Sequence, residues 1–345
     1  MNKEIKKKAI GLFSGGLDSW LSALLIKRQD FDTYALHFVS PYFGYSEEKL
    51  KIIEKRLNDR GINLIVHRFG QDYIDDIVKN PKHGTGSTVN ACLDCHRYML
   101  QIAKKKMEEM GAEFVFTGEV LAQRPMSQRK EALNIVESES GLKGYLVRPL
   151  SAKVLKPSIP EENGILNRDL LMGFFGRGRK NQVELAKELG LLEYPQPAGG
   201  CKFTDPNIVK RFDVMLDINK NITWTDLELL KYFRHFYLGD RIYLITARDG
   251  TEVNKIMSLS DLGTIVDPKD IAGTTGLLID YSEDKNEFVL AEKMDKAAQI
   301  IARYTKGAQE GHIKVAVVFI KDNKVIKELK VYSMDENELD TCRLF

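Results

Sequence analysis

Near its start the chain sets a short apolar run, Ala9–Phe13, directly against Ser14-Gly15-Gly16-Leu17-Asp18-Ser19, and follows it with a helix-patterned stretch, Ser19–Lys27. A strand, a glycine turn and a helix in that order limit the fold more than any other feature. The turn presents unpaired backbone N–H groups, and the positive end of the helix dipole favours an anion. Glycines at 15 and 16 let the backbone approach a phosphate closely. Ser14 and Ser19 offer hydroxyls. Asp18 beside phosphates implies Mg²⁺, since a bare carboxylate would repel them. A capped tight turn would explain two glycines alone, but the whole hexapeptide after a strand points to phosphate. It is neither the G-x-x-x-x-G-K-[ST] loop nor the dinucleotide fingerprint.

The alternation continues. Tyr34–Val39 reads as a second strand. Ser46 caps a helix with Glu47 and Glu48 in its first turn, Leu50, Ile53 and Leu57 on its inner face, and Gly61 at its close. Leu64–Phe69 and Glu113–Thr117 read as further strands, with a helix from Ala91 to Met110 between them. Repeated β-α-β units predict an α/β domain over residues 1–205, a parallel sheet with helices on both faces. Its Ser151–Pro206 part holds Pro157, Pro160, Pro195, Pro197 and Pro206 and two expected helices, Arg168–Phe175 and Lys180–Leu189. A smaller α+β domain is expected over 210–345. Its strands are Phe236–Leu238 and Ile242–Ala247 around Gly239-Asp240. A hairpin, Val315–Ile320 with Lys324–Val331, turns at Asp322-Asn323, and Ala297–Tyr304 forms a helix.

The balance of 51 Lys and Arg against 49 Asp and Glu, a net charge of +2, excludes a polybasic tail protein. It leaves room for a local basic groove. No apolar run reaches the roughly 18 residues of a membrane span. The basic opening has too short an apolar part for a secretory signal. No membrane contact and a cytoplasmic location are therefore expected. Four cysteines in 345 residues argue against a disulfide scaffold.

Three of those cysteines are patterned. Cys92 and Cys95 open a helix at i, i+3 spacing, which puts both sulfurs on one face. A helix N-terminus lowers a thiol's pKa, and thiolates bind metal or attack. Cys201 follows Gly199-Gly200. Three readings stay open: a [4Fe–4S] cluster on Cys92, Cys95 and Cys201 with one iron free to carry sulfide; a persulfide resolved through a disulfide; or structural zinc with His96 as a fourth ligand. Three unrelated buried cysteines are the plain alternative. The cluster ranks first.

Ser14–Ser19 resembles the PP-loop of the ATP pyrophosphatase superfamily. That resemblance implies an adenine nucleotide alpha hydrolase-like fold and cleavage of ATP between its α and β phosphates. The PP-loop with C-x-x-C and a later lone cysteine resembles the tRNA thiolases, of the 4-thiouridine synthetase and tRNA 2-thiouridylase type. Thr117-Gly118-Glu119 resembles their strand end beside the nucleotide, so Gly118 and Glu119 are expected to line the ATP site with Ser14, Gly15, Gly16, Asp18 and Ser19. Catalytic roles fall to Asp18 and the three cysteines. Arg124, and Arg148 of Arg148-Pro149-Leu150, are expected to reach phosphate or RNA. Arg177, Arg179 and Lys180, in a turn of aromatics, glycines and cations, are expected to contact tRNA. Phe174 and Phe175 read as core, and His37 as structural. Phe233–Asn254 loosely resembles the NFACT-R type of RNA-associated domain, with Ala247-Arg248-Asp249 in place of its G-R-N-like element.

The departures are the lack of a THUMP-like segment before Ser14 and of a rhodanese-like segment with its own cysteine. The second domain is then expected to help hold RNA, and sulfur to come from free sulfide or a donor protein. The resemblance implies an ATP-dependent tRNA sulfurtransferase that replaces a uridine oxygen with sulfur. The oligomeric state stays open, a homodimer included. Two rivals are an adenylating enzyme acting on a small metabolite and a non-catalytic nucleotide- or RNA-binding module.

Overall fold

A computed structural model describes residues 6–194, 201–308 and 312–344. The prolines and glycines at 195–200, expected to form a turn before Cys201, lie outside the described residues. The chain divides into two compact units between Thr204 and Asp205.

In the first unit the elements run β1 (Lys8–Leu12), α1 (Leu17–Lys27), β2 (Asp32–Val39), α2 (Glu47–Asn58), β3 (Ile62–Arg68), a single turn α3 (Gln71–Tyr73), α4 (Cys92–Met110), β4 (Ala112–Phe116), α5 (Lys130–Glu139), β5 (Leu146–Val147), a short α6 (Ile159–Glu162) and α7 (Lys180–Glu188). The five strands form a parallel sheet in the order β3-β2-β1-β4-β5. Such strands are covered on both faces and read as near-continuous apolar runs. Ala9, Phe114 and Phe116 pack with Trp20, Leu21 and Leu24 of α1 and Leu185 of α7. Ile10 and Val115, of opposite parity, are buried too, and α4 packs on β1 and β4. Each large side chain so buried contributes about 1.5–3 kcal/mol. Ser46 caps α2 by accepting from the Lys49 N–H, as its sequence predicts.

Residues Arg168–Phe175 do not form the expected helix. After a 3-10 turn at Arg168–Leu170 the chain runs extended. Its N–H groups bond outward: Met172 to Pro149 O at 2.8 Å, Phe174 to Leu150 O at 2.7 Å and Gly176 to Leu121 O at 2.8 Å. Partners on the neighbouring strand ends replace the local ones a helix would use.

The second unit runs α8 (Val209–Ile218), α9 (Trp224–Leu229), β6 (Arg234–Tyr237), β7 (Ile242–Thr246), α10 (Gly250–Met257), β8 (Thr264–Pro268), β9 (Gly276–Asp280), α11 (Glu287–Arg303), β10 (Val315–Lys321), β11 (Lys324–Val331), α12 (Glu336–Cys342) and β12 (Arg343–Leu344). Its seven strands form an antiparallel sheet in the order β11-β10-β8-β9-β7-β6-β12. Phe236, Leu244, Val266, Val317 and Phe319 pack against Ala297, Ala298 and Ile301 of α11. The hairpin turns where expected, with Asp322 at φ 49° and Asn323 at φ 59°, the left-handed pair of a type I′ turn. α11 starts at Glu287, well before the expected Ala297, because the Asn286 side chain accepts from the Phe288 and Val289 N–H groups.

Candidate active site

The phosphate-loop residues sit where β1 passes into α1. Gly16 caps α1 without a side-chain bond, so the first-turn N–H groups are not claimed by a capping side chain. Ser14 is exposed, and its Oγ lies 3.4 Å from Ser19 Oγ and 3.4 Å from the Gly16 N–H. Ser19 donates to Gly16 O at 2.8 Å. Gly15 has φ 78°, and a Cβ there would lie 2.3 Å from the Tyr45 hydroxyl. Only glycine accepts both conditions. Tyr45 in turn stacks on His37, ring centroids 5.0 Å apart. His37 donates from Nδ1 to Phe13 O at 2.7 Å, and burial holds its pKa below the ordinary histidine value.

Asp18 is fixed on one side only. Its Oδ2 accepts from Gln123 Nε2 at 2.7 Å, while Oδ1 is buried with no partner. A buried carboxylate oxygen without a donor is costly unless a cation or ligand completes it. The donor chemistry therefore fits Mg²⁺.

The strand end beside the loop is packed hard against it. A Cβ on Gly118 would lie 2.7 Å from the Asp18 carbonyl carbon and the Ser19 nitrogen. The next residue, Glu119, is 6% exposed. Its Oε2 accepts from Thr117 Oγ1 at 2.9 Å and Arg148 Nε at 3.1 Å, and its Oε1 faces His96 Nδ1 at 3.3 Å. Burial alone would raise this carboxyl's pKa; Arg148 and His96 hold it at about 2. Arg148 also bonds Glu137 at 2.7 Å and Leu133 O at 3.1 Å. The expectation that Arg148 meets phosphate or RNA is corrected: its guanidinium is buried and bonded within the unit. Both Glu119 oxygens are likewise taken by protein partners, so this carboxylate braces the strand end that was expected to line the nucleotide.

His96 ties this brace to the cysteines, since it follows Cys95 at the start of α4. Cys92, Cys95 and Cys201 are free thiols and lie within electrostatic range of one another. Tyr73 bonds Cys95 and feels all three. Asn90 donates to Cys92 Sγ at 3.0 Å, and Thr88 donates to Phe203 O at 2.9 Å, joining the segments before Cys92 and after Cys201. Tyr42 stacks on Phe203 at 4.2 Å, and Lys202 N bonds Tyr42 O at 3.1 Å. The loop after β2 thus reaches the phosphate loop through Tyr45 and the cysteines through Tyr42. The expected lowering of thiol pKa does not hold at Cys95, where burial outweighs the helix terminus and pushes it up to about 12; burial likewise pushes Cys201 up to about 12. Among the described residues no three His, Cys, Asp or Glu side chains are gathered as a ready metal site.

Arg177 and Lys180 are exposed, Arg179 is half-buried and Arg124 is exposed. The bond from Gly176 to Leu121 sets this basic turn beside the strand end that carries Glu119. Phe174 packs against the core as expected. Phe175 does not: it is 67% exposed, turned outward by its pairing with Leu121. Sequence reading also missed Tyr42, Tyr45, Tyr73, His96 as a brace, and Gln182. Only His96, adjacent to the C-x-x-C, carried a local signal.

Residues 4–156 match the family model described as thiamine biosynthesis protein (ThiI). That match takes in the phosphate loop, the Cys92–Cys95 pair and the strand end with Glu119. Residues 234–343 match the NFACT protein RNA binding domain, a wider span than the Phe233–Asn254 stretch that suggested it. A probable tRNA sulfurtransferase of Lysinibacillus sphaericus is 30% identical over 197 residues, 56% of this chain and 41% of that protein. The chain thus matches well under half of that relative's length. The tRNA-specific 2-thiouridylase MnmA 1 of Caldanaerobacter subterraneus is 23% identical over 94% of this chain and 93% of its own. A solved 4-thiouridine synthetase–RNA complex with bound ATP aligns with a TM-score of 0.39 at 24% identity, over 64% of this chain and 52% of that one. No helix among the described residues is long and apolar enough to cross a membrane.

Proposed function

We propose that this chain is an ATP-dependent tRNA sulfurtransferase, which adenylates a uridine carbonyl oxygen and replaces that oxygen with sulfur. The observation that carries this reading is the short path between the two chemistries. Cys95 is followed by His96, which meets Glu119; Glu119 is preceded by Gly118, which lies on Asp18 and Ser19. A phosphate loop and a thiol set braced to one strand end suit a reaction that activates an oxygen and then delivers sulfur to the same carbon.

ATP binds with its phosphates on Ser14–Ser19 and the α1 N-terminus, where Asp18 Oδ1 would hold Mg²⁺, which would neutralise phosphate charge. The uridine oxygen attacks the α-phosphorus, the α–β bridge breaks, and pyrophosphate leaves. Sulfide sulfur then attacks the ring carbon, and its C–O bond breaks to release AMP. Positioning and charge neutralisation supply most of the rate. Arg177, Arg179, Lys180 and Arg124 contact the tRNA backbone, and the second unit adds RNA affinity. The reaction is placed in the cytoplasm, where thiols stay reduced.

The three thiols fit a [4Fe–4S] cluster by kind and number. Held by Cys92, Cys95 and Cys201, such a cluster would present one iron with an open position for sulfide. Tyr73, bonded to Cys95, and Asn90, bonded to Cys92, orient the sulfurs, and the Tyr42–Phe203 stack anchors the chain two residues after Cys201. The donor is free sulfide or a sulfur-carrying protein.

Anaerobically purified protein tests the reading in one series. Expected are about four irons and four sulfides per chain, lost in Cys201→Ala, and pyrophosphate release that requires tRNA. Digested tRNA should then contain a thionucleoside. Iron-free protein that still thiolates would replace the cluster with a persulfide. Pyrophosphate release indifferent to tRNA would overturn the function.

A further inference from the structure

Asp18 is the first member of a buried amide chain that reaches out of the phosphate loop. Gln123 donates to Asp18 Oδ2 at 2.7 Å, and Gln182 donates from Nε2 to Gln123 Oε1 at 2.9 Å. Gln182 is 1% exposed and Gln123 8%. The direction of the chain is dictated chemically. A carboxylate only accepts, so Gln123 must turn its NH₂ to Asp18. Its carbonyl then faces Gln182, which must also present NH₂. That leaves Gln182 Oε1 buried without a partner, while the opposite orientation would set two amide oxygens against each other.

A second feature aims the chain. Ala122, directly before Gln123, has φ 63°, a left-handed conformation that residues with a Cβ adopt at a cost. It is held by the bonds from Ala122 N to Gln128 O at 2.8 Å and from Gln123 N to Val120 O at 3.1 Å. The loop that presents Gln123 is thus closed around a strained residue. Gln182 comes from α7, in the segment that follows the five-stranded sheet, immediately after the basic turn.

We propose that Gln123 and Gln182 are positioning residues that pin Asp18 Oδ2, so that Oδ1 faces the metal of a bound Mg²⁺–nucleotide. Helix α7 thereby sets how strongly Mg²⁺ supports nucleotide binding. This rests on the PP-loop reading of Ser14–Ser19. Without the relay the Asp18 carboxylate can rotate, and the metal loses its fixed ligand while the nucleotide's contacts to the loop backbone persist.

The test is calorimetric titration of ATP into the full chain with EDTA and with graded Mg²⁺, for the wild type, Gln123→Leu, Gln182→Leu and Ala122→Gly. In the wild type Mg²⁺ tightens ATP. In both Leu variants that gain should shrink about tenfold, the size of one hydrogen bond to a charged group, with affinity in EDTA unchanged. Ala122→Gly removes the strain without touching the core. It should keep or raise the melting temperature and still lose part of the Mg²⁺ gain, which decides the matter if the Leu variants do not fold. An undiminished Mg²⁺ gain in folded variants would overturn the relay alone. Failure of the wild type to bind ATP at all would overturn the PP-loop reading together with it.

Discussion

Among the described residues of the first unit seven buried side-chain atoms have no hydrogen-bond partner: Asp18 Oδ1, Trp20 Nε1, Ser22 Oγ, Gln29 Nε2, His37 Nε2, Gln128 Oε1 and Gln182 Oε1. Three of them, on Asp18, Trp20 and Ser22, belong to α1, the helix that leaves the phosphate loop, and Gln182 reaches Asp18 through Gln123. In the second unit the deeply buried His235 is bonded at both ring nitrogens, donating to Tyr232 O at 2.6 Å and accepting from the Tyr243 hydroxyl at 3.1 Å. Each unmatched buried group costs about 1–3 kcal/mol. A sheet that tolerates several near one turn is prepared for something other than its own stability. The second unit also leaves such an atom, Thr246 Oγ1, but its buried histidine is bonded at both ring nitrogens.

Breaking the brace should give the largest effect. Arg148→Met leaves Glu119 buried without its main counter-charge, a loss of about 3–5 kcal/mol. Thermal unfolding should show the first unit melting earlier and the second unchanged; equal shifts in both would end the contrast. Next is Asp18→Asn, with pyrophosphate release falling about a hundredfold, as for a lost transition-state electrostatic contact. Its melting temperature should hold or rise, since a costly buried charge is gone. A marked fall would make Asp18 structural.

Acid sharpens the comparison. Burial lowers His235 to about 3, so the native unit keeps it neutral while the unfolded chain takes up a proton below pH 6.5. Stability of the second unit should therefore fall as pH drops from 6.5 toward 3, by up to about 1.4 kcal/mol per pH unit. Glu119, held at about 2, gives up its contribution only as pH falls from its ordinary range toward 2. His37 adds the first sign to the first unit. Denaturant midpoints against pH should flatten for the second unit alone in His235→Gln. The smallest effect concerns the basic turn. Alanine at Arg177, Arg179 or Lys180 should weaken tRNA binding a few-fold and lower its salt slope by about 1 each.

The parallel sheet, the phosphate loop and the C-x-x-C helix were legible because each has a local signal: an apolar run, a glycine pair, a three-residue spacing. Arg168–Phe175 misled because its apolar spacing suits a helix, while its partners, Pro149, Leu150 and Leu121, lie elsewhere in the chain. Arg148 misled in the opposite way. A cation after a strand looks available until Glu119 and Glu137 are seen around it. Gln123 and Gln182 are separated by most of an appended segment, and nothing in either neighbourhood announces the other. The thiol pKa went astray because a helix terminus is a local effect and burial is not.

The contact between Gly118 and the backbone of Asp18 and Ser19 has a mechanical consequence. With less than a methyl group's clearance, the strand end and the loop cannot slide or tilt separately; they share one degree of freedom. Any widening that admits a nucleotide or an RNA must come from the other walls, the loop bearing Tyr42 and Tyr45 or the turn bearing Phe175. Even Gly118→Ala, the smallest side chain available, would act as a wedge. It would push the strand end that carries Glu119 away from the phosphate loop while leaving every side chain of the site chemically intact.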